Sequence, residues 1–534
     1  MKPMKTRQDI LSEEPQRRLS PWRVLLAILL LVGLTYTLFF NFQSWQETRA
    51  IASLKPWFAA YVDVTATPTY AFEQLRATPT HNVVLSFIVS SSSDACTPSW
   101  GGAYTLSQAS TGLDLDRRIE RLRKQGGGVV VSFGGALHDE LARKCTNADK
   151  LLQAYQSVID RYSIDTIDLD LEGSGLTDND AAKRRAGVIA LIQSRRRAQK
   201  KSLAVWLTLP VAPQGLTEDG TNAIAQMLQD NVDIAGINVM TMDYANSRDK
   251  NETMEHASER ALTETHRQLG ILYKRAGISL SEATLWRKIG ATPMVGQNDV
   301  TDEIFTLQDA TGLNDFAQVH GVGRLSMWSA NRDVQCGDNY VDLKIVSDSC
   351  SGVQQDKLSY STTLGKGYVG DLPLNAKVIT TNDLTTTIQT PDDPQKSPYQ
   401  IWKETGAYLE GTKVVWHRNV YQAKWWTKGD VPDNPVLQSY QTPWQLIGPI
   451  LPGEKPFQQP TLPKGTYPEW SGDSEYQSGQ RVLFERMPYE AKWWNKAESP
   501  AASASNPDSS PWIALTQAQV NEIVAEITAS ASAK

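Results

Sequence analysis

DTIDLDLEG, residues 165–173, sets Asp168, Asp170 and Glu172 alternately with Ile167, Leu169 and Leu171. Successive side chains of a strand point to opposite faces, so this segment reads as a strand with all three acids on one face and all three aliphatics on the other. The aliphatic face demands burial, and the acids then share one poorly solvated environment. Neighbouring carboxylates out of water cannot all stay ionised, so at least one pKa has to rise, as a general acid requires. A solvated edge strand and a metal-binding acidic strand are the alternatives. The alternation opposes the first and the lack of an accompanying histidine cluster opposes the second, so no metal and no cofactor are expected.

Working outward, short β-branched runs alternate with helical periodicity from Trp57 onward, the pattern of repeated βα units on a parallel sheet. Strands are read at WFAAYVD (57–63), NVVLSFIV (82–89), GVVVSFG (128–134), TIDLDLE (166–172), LAVWLTLP (203–210), IAGINVMTM (234–242), RKIGATPM (287–294) and RLSMWSA (324–330). Helices are read at 147–160, 179–199, 217–230, 253–276 and 301–319. Eight strands close a (β/α)8 TIM barrel, and Glu172 then stands at the C-terminal strand end, where such barrels build their active sites. Trp57 and Trp206 fall within strands and read as packing, as do Ser132, Gly134 and Gly135, the glycines allowing backbone to approach backbone.

The rest of the chain excludes several classes. A formal net charge of −6 and a pI near 5.7 give no reason to expect nucleic acid as a partner. No H-E-x-x-H, G-x-S-x-G, Walker loop or G-x-G-x-x-G is present. Mean hydropathy is −0.38, yet no charged residue occurs from Val24 to Gln46, and Arg17, Arg18 and Arg23 precede that run. This predicts a transmembrane signal anchor at 24–46, with a cytoplasmic N-terminus at 1–23 and everything later outside the cell membrane. A cleaved signal peptide, and hence secretion, is the alternative. Cys96, Cys145, Cys336 and Cys350 lie on the outer side, where thiols can oxidise. Of the three pairings, Cys336 with Cys350 closes a short loop and leaves Cys96 with Cys145, which follow strands that are neighbours in a barrel; four free thiols is the alternative.

The barrel reading covers 50–365, followed by a linker at 366–397. An internal repeat comes next. Trp402, Tyr408, Gly411, Val414, Tyr421, Ala423, Lys424, Trp425, Trp426, Pro432, Pro443 and Trp444 recur 68 residues later, so that Trp425 answers to Trp493 and Trp444 to Trp512. One register across so many positions marks a duplicated module. The copies span 398–448 and 466–515, joined by a linker at 449–465 and followed by a tail at 516–534. Tryptophan, of which the chain has 16, offers a flat face on which sugar rings stack.

The DTIDLDLEG stretch resembles the D-G-x-D-x-D-x-E signature of glycoside hydrolase family 18, the chitinases and their relatives, with Thr166 where that family has Gly. Ser132-Phe133-Gly134-Gly135, Met240-Thr241-Met242-Asp243-Tyr244 and Trp328 resemble its third-, sixth- and eighth-strand motifs in order. The resemblance implies a retaining mechanism in which the substrate's own N-acetyl oxygen attacks the anomeric carbon. It makes Glu172 the general acid and then base. Asp170 holds the acetamido N–H, Asp168 shares a proton with Asp170, Tyr244 bonds the acetamido carbonyl, and Asp243 contacts the sugar nearby. Trp328 forms an apolar floor with Met240 beside it. Trp100, in a polar loop, is read as a cleft aromatic or as structure.

YQAKWWTKGDVP and YEAKWWNKAESP resemble the A-K-W-W core of carbohydrate-binding module family 5/12, small all-β modules. That resemblance makes Trp425, Trp426, Trp493, Trp494, Tyr421 and Tyr489 candidate chitin-binding residues, with one Trp of each pair expected to pack inward. The whole reads as a chitinase acting on chitin or chitooligosaccharides. The alternatives are a catalytically silent chitin-binding lectin and an endo-β-N-acetylglucosaminidase of the same family.

Overall fold

The computed structural model describes residues 22, 55–74, 81–338, 346–356, 358–372, 391–457, 461–504, 509–515 and 517–532. The expected membrane anchor at 24–46 and most of the first linker lie outside these residues. Among the described residues no helix is long and apolar enough to cross a membrane.

Eight parallel strands form the first compact unit. They are β1 (Trp57–Phe58, resumed as Ala60–Asp63), β2 (Val83–Ser90), β3 (Val129–Gly134), β4 (Thr166–Asp170), β5 (Ala204–Ala212), β6 (Ile234–Met240), β7 (Ile289–Thr292) and β8 (Arg324–Leu325). Each pairs in parallel with the next, from β2 through β8. Closure is made by the interruption of β1 at Ala59: Trp57–Phe58 pairs with β8, and Ala60–Asp63 pairs with β2. The sheet has no free edge between its first and last strands, which is the barrel expected from the repeated βα pattern.

Packing explains why these segments hold the ladder. Every residue of β3 and β4 is buried, as parallel strands covered on both faces require. The barrel interior is aromatic at its base, where Trp57 and Trp206 meet edge to face with centroids 5.5 Å apart. Gly236 in β6 is required there, because a Cβ would lie 2.3 Å from the Trp206 ring. Surrounding helices start on side-chain caps: Asn147 accepts from Lys150 N ahead of the helix Ala148–Arg161, and Asp178 accepts from Ala181 N ahead of Asn179–Ala198. Several expected strands are shorter than read, two of them at the site. β4 stops at Asp170, because Glu172 opens the short helix Gly173–Thr177. β8 stops at Leu325, and Trp328 keeps only an isolated bridge to Met294. Disulfides join Cys96 to Cys145 and Cys336 to Cys350, the pairing chosen from the sequence.

A second compact unit holds both repeats. In the first copy, Gln400–Ile401, Lys413–Trp416, Asn419–Ala423 and Trp444–Pro449 make one sheet, and Ala407–Tyr408 pairs with Thr427–Lys428. The second copy repeats the pattern with Arg481–Phe484, Met487–Ala491 and Trp512–Ala514, and with Glu475–Tyr476 against Asn495–Lys496. Their cores are themselves aromatic: Trp402, Tyr408, Tyr421 and Trp444 in one, Tyr476, Tyr489 and Trp512 in the other. Tyr421 and Tyr489, singled out in the sequence as candidate chitin-binding residues, are packed into these cores. Both tryptophans of each pair are exposed, not one of them as strand alternation suggested. The reason is local: Lys424 to Trp426 form a bend between the strands Asn419–Ala423 and Thr427–Lys428, so the two-residue alternation does not reach them.

Candidate active site

The site begins with β4, whose inward face carries the acids up the barrel axis. Asp168 is fully buried and takes four donors. Its Oδ2 accepts from Tyr61 Oη at 2.8 Å and Ser132 Oγ at 2.7 Å, and its Oδ1 accepts from Thr208 Oγ1 and Arg324 Nη1, each at 2.8 Å. Arg324 is as buried as its partner. Its guanidinium lies 5.1 Å from the Trp57 ring centroid, 5.3 Å from that of Trp206 and 5.5 Å from that of Tyr61, an aromatic cage suited to a cation. Asn238 extends the network by donating to Thr208 Oγ1 at 3.0 Å and to Thr292 Oγ1 at 2.7 Å. Both oxygens of Asp168 thus lie within a network of four donors directly beneath Asp170.

Asp170, one step up the strand, is almost fully buried, and its Oδ1 has no hydrogen-bond partner. Burial raises its carboxyl well above the ordinary range, the charges of Glu172 and Asp168 raise it further, and Arg324 pulls against them. Gly134 of β3 makes room for this part of β4, since a Cβ there would meet the Asp170 carbonyl oxygen at 2.0 Å. Glu172 follows in extended conformation at the start of Gly173–Thr177, and its side chain is not used to cap that helix. Its pKa is pushed up to about 7, first by burial and then by the charge of Asp243. The cluster thus presents two carboxyls on one face, both raised by burial and by neighbouring carboxylates.

Asp243 lies just past the end of β6, half-buried, with its Oδ1 accepting from Val300 N at 2.9 Å. Met240 ends β6 and is also half-buried. Trp328 stacks on Phe87 at 5.5 Å with an interplanar angle of 25°, and Tyr61 meets it at 6.2 Å. Tyr244 is buried, and its hydroxyl hydrogen-bonds Ser258 at 3.3 Å; burial raises its pKa, the Ser258 hydrogen bond opposes that, and the charges of Glu303 and Glu252 add to it. Trp100 is fully buried, donating from Nε1 to Tyr162 Oη at 2.9 Å. Its polar neighbourhood in sequence hid a packed indole, and no sugar can reach it. Tyr61, Thr208, Asn238, Phe87 and Arg324 escaped the sequence reading. Polar residues interrupting otherwise apolar strands were the available signal for Thr208, Asn238 and Arg324.

Comparison with known proteins bears on this geometry. A sequence model described as "Glycosyl hydrolases family 18" matches residues 57–276. The chain is 34% identical over 313 residues to a "Probable bifunctional chitinase/lysozyme" of Escherichia coli (strain K12), covering 56% of this chain and 34% of that protein. It is 33% identical over 309 residues to "Endochitinase 11" of Metarhizium anisopliae, covering 55% of this chain and 56% of that one. The chain therefore spans about a third and about half of these curated relatives. Among solved structures, the catalytic domain of a hyperthermophilic chitinase from Pyrococcus furiosus is similar at 27% identity with a TM-score of 0.49, over 60% of this chain and 96% of that one. The family match takes in β1 through β6, with Asp168, Asp170, Glu172 and Asp243 among its residues, so that it is the strand-built part of the first unit, site acids included, that is similar to glycosyl hydrolases of family 18.

Proposed function

We propose that this protein is a chitinase that hydrolyses β-1,4 linkages between N-acetylglucosamine units with retention of configuration. The observation that carries the reading is the pairing of Glu172, its pKa near 7, with Asp170, buried and holding an unpartnered Oδ1. Glu172 can give a proton to the departing glycosidic oxygen and recover one from the incoming water. Asp170, on the same strand face as Glu172, offers a buried oxygen free to take a hydrogen bond from the substrate. The substrate's acetamido oxygen is the nucleophile, and Asp170 Oδ1 accepts the acetamido N–H. The stacked Trp328 and Phe87 supply an apolar surface for the ring. Both relatives bear names that include chitinase activity, and the paired disulfides fit a site of action outside the cytoplasm, with segment 24–46 as the anchor.

The test follows from the nucleophile. Chitooligosaccharides are cut and the β-anomer is the first product seen by NMR, whereas fully deacetylated chitosan, lacking the acetamido oxygen, is not cut. First appearance of the α-anomer, or equal cleavage of chitosan, overturns the mechanism. Peptidoglycan belongs in the same assay, because one relative's name includes lysozyme.

The modules supply a second prediction. Trp425, Trp426, Trp493 and Trp494 remain exposed on small domains whose cores are already filled, and we assign them to chitin. Lys424 Nζ stands 4.7 Å over Trp425 and Lys492 Nζ 4.5 Å over Trp493, so the second indole of each pair is the one to remove first. Trp426→Ala with Trp494→Ala weakens retention on insoluble chitin by about ten-fold or more per module, since a stacking indole is worth on the order of 1–2 kcal/mol. Turnover of soluble oligosaccharide stays at the wild-type rate. Unchanged retention removes these indoles from the binding face.

A further inference from the structure

We propose that Glu303 is a positioning residue for the general acid, holding in place the left-handed turn that carries Asp243 beside Glu172. This inference rests on the chitinase reading and names a residue outside the motifs that suggested it.

The turn is unusual in its backbone. Asp243 has φ of 51° and Ala245 has φ of 49°, left-handed values that L-residues bearing a Cβ adopt only at a steric cost. Neither is glycine, so the surroundings have to hold them. Glu303, with a side chain 1% exposed, does so with both oxygens: Oε2 accepts from Tyr244 N at 2.9 Å and Oε1 accepts from Ala245 N at 2.8 Å. Asn298, fully buried, accepts from Asp243 N at 3.4 Å and is itself fixed by donating to the carbonyls of Met294 and Gly296. Val300 N donates to Asp243 Oδ1 at 2.9 Å. All three clamps come from one turn after β7, which closes on itself through Asn298 N to Glu303 O and Glu303 N to Val300 O. A buried carboxylate is thus committed to two backbone amides of the loop whose aspartate acts on the general acid.

The charges around these groups are few. Glu172 faces Asp243 and Asp170. Asp243 faces Asp299, Arg332 and Glu172. Glu303 faces Arg248, 3.5 Å away, and the Tyr244 backbone. Removal of Glu303 leaves the Tyr244 and Ala245 amides without their acceptor, the turn relaxes, and Asp243 withdraws from Glu172. Burial still raises Glu172, but the contribution of Asp243 is lost.

The experiment is kcat/KM against pH on a soluble chitooligosaccharide, using the full chain. In wild type the alkaline limb falls near pH 7. Glu303→Ala and Asp243→Asn each move it down by roughly half a unit to one unit, and the double variant moves it no further than either alone. Glu303→Gln keeps one acceptor oxygen and gives an intermediate shift. If Glu303→Ala does not fold, Asn298→Ala in the same turn gives the same downward shift. A limb that stays near 7 in these variants while kcat falls overturns the inference, as do shifts that add in the double variant. The underlying reading fails separately: it falls if cleavage survives Glu172→Gln, whatever Glu303 does.

Discussion

Glu172→Gln lowers kcat on chitooligosaccharides by about 10²–10⁴-fold, the usual worth of a positioned general acid. The amide keeps the shape and polarity of the carboxyl but has no proton to give to the leaving oxygen. Retention on chitin is unaffected, because the exposed tryptophans of the modules carry it, and a variant that binds without cutting separates catalysis from adhesion. The wild-type pH profile supplies the same argument in another form. The active species of the acid is the protonated one, so the rate falls as pH rises through about 7, well above where an ordinary glutamate would have lost its proton. Two features of the cluster hold the value there: the site is poorly solvated, and Asp243 adds a like charge. Release of chitooligosaccharides at the wild-type rate by the glutamine variant would move the chemistry to another residue. Binding without cleavage by both proteins would leave the barrel as a lectin.

The acids themselves were legible because a strand has the simplest periodicity in proteins. Alternation of Asp168, Asp170 and Glu172 with aliphatics states which residues share a face, and the structure places Asp168 and Asp170 on the inner face as that reading requires. Periodicity does not carry what meets them there. Arg324 pairs with Asp168 across 156 positions of sequence, and only closure of the barrel brings β8 opposite β4. The same limit explains Tyr244. It adjoins Asp243 in sequence, but its hydroxyl meets Ser258, a partner that no residue type in Met-Asp-Tyr announces. In the modules the error ran the other way. Strand alternation was extended through Lys424, Trp425 and Trp426, where the chain bends and the rule ceases to apply. Tyr421 and Tyr489, treated as possible binders for their chemistry, were needed for two small cores.

Arg324→Met destabilises the barrel by about 3–5 kcal/mol, the cost of leaving a buried charge without its partner. Asp168 would keep Tyr61, Ser132 and Thr208 as donors but lose the only cationic one among its described hydrogen bonds, in an interior lined by Trp57 and Trp206. Three neutral hydroxyls cannot replace a guanidinium that is itself caged by aromatic faces. The charge, and not the volume, is the source of the loss, because methionine fills much of the space arginine leaves. Adding Asp168→Asn to Arg324→Met therefore recovers part of the stability, whereas Asp168→Asn alone strands the arginine and is also destabilising. Calorimetry of the full chain, following the transition of the barrel apart from those of the modules, measures all three variants. A single Arg324→Met variant within about 1 kcal/mol of wild type would mean that water or a repacked donor satisfies Asp168 after all. A double variant less stable than either single change would mean that shape complementarity in the aromatic cage, and not charge pairing, is what Arg324 contributes.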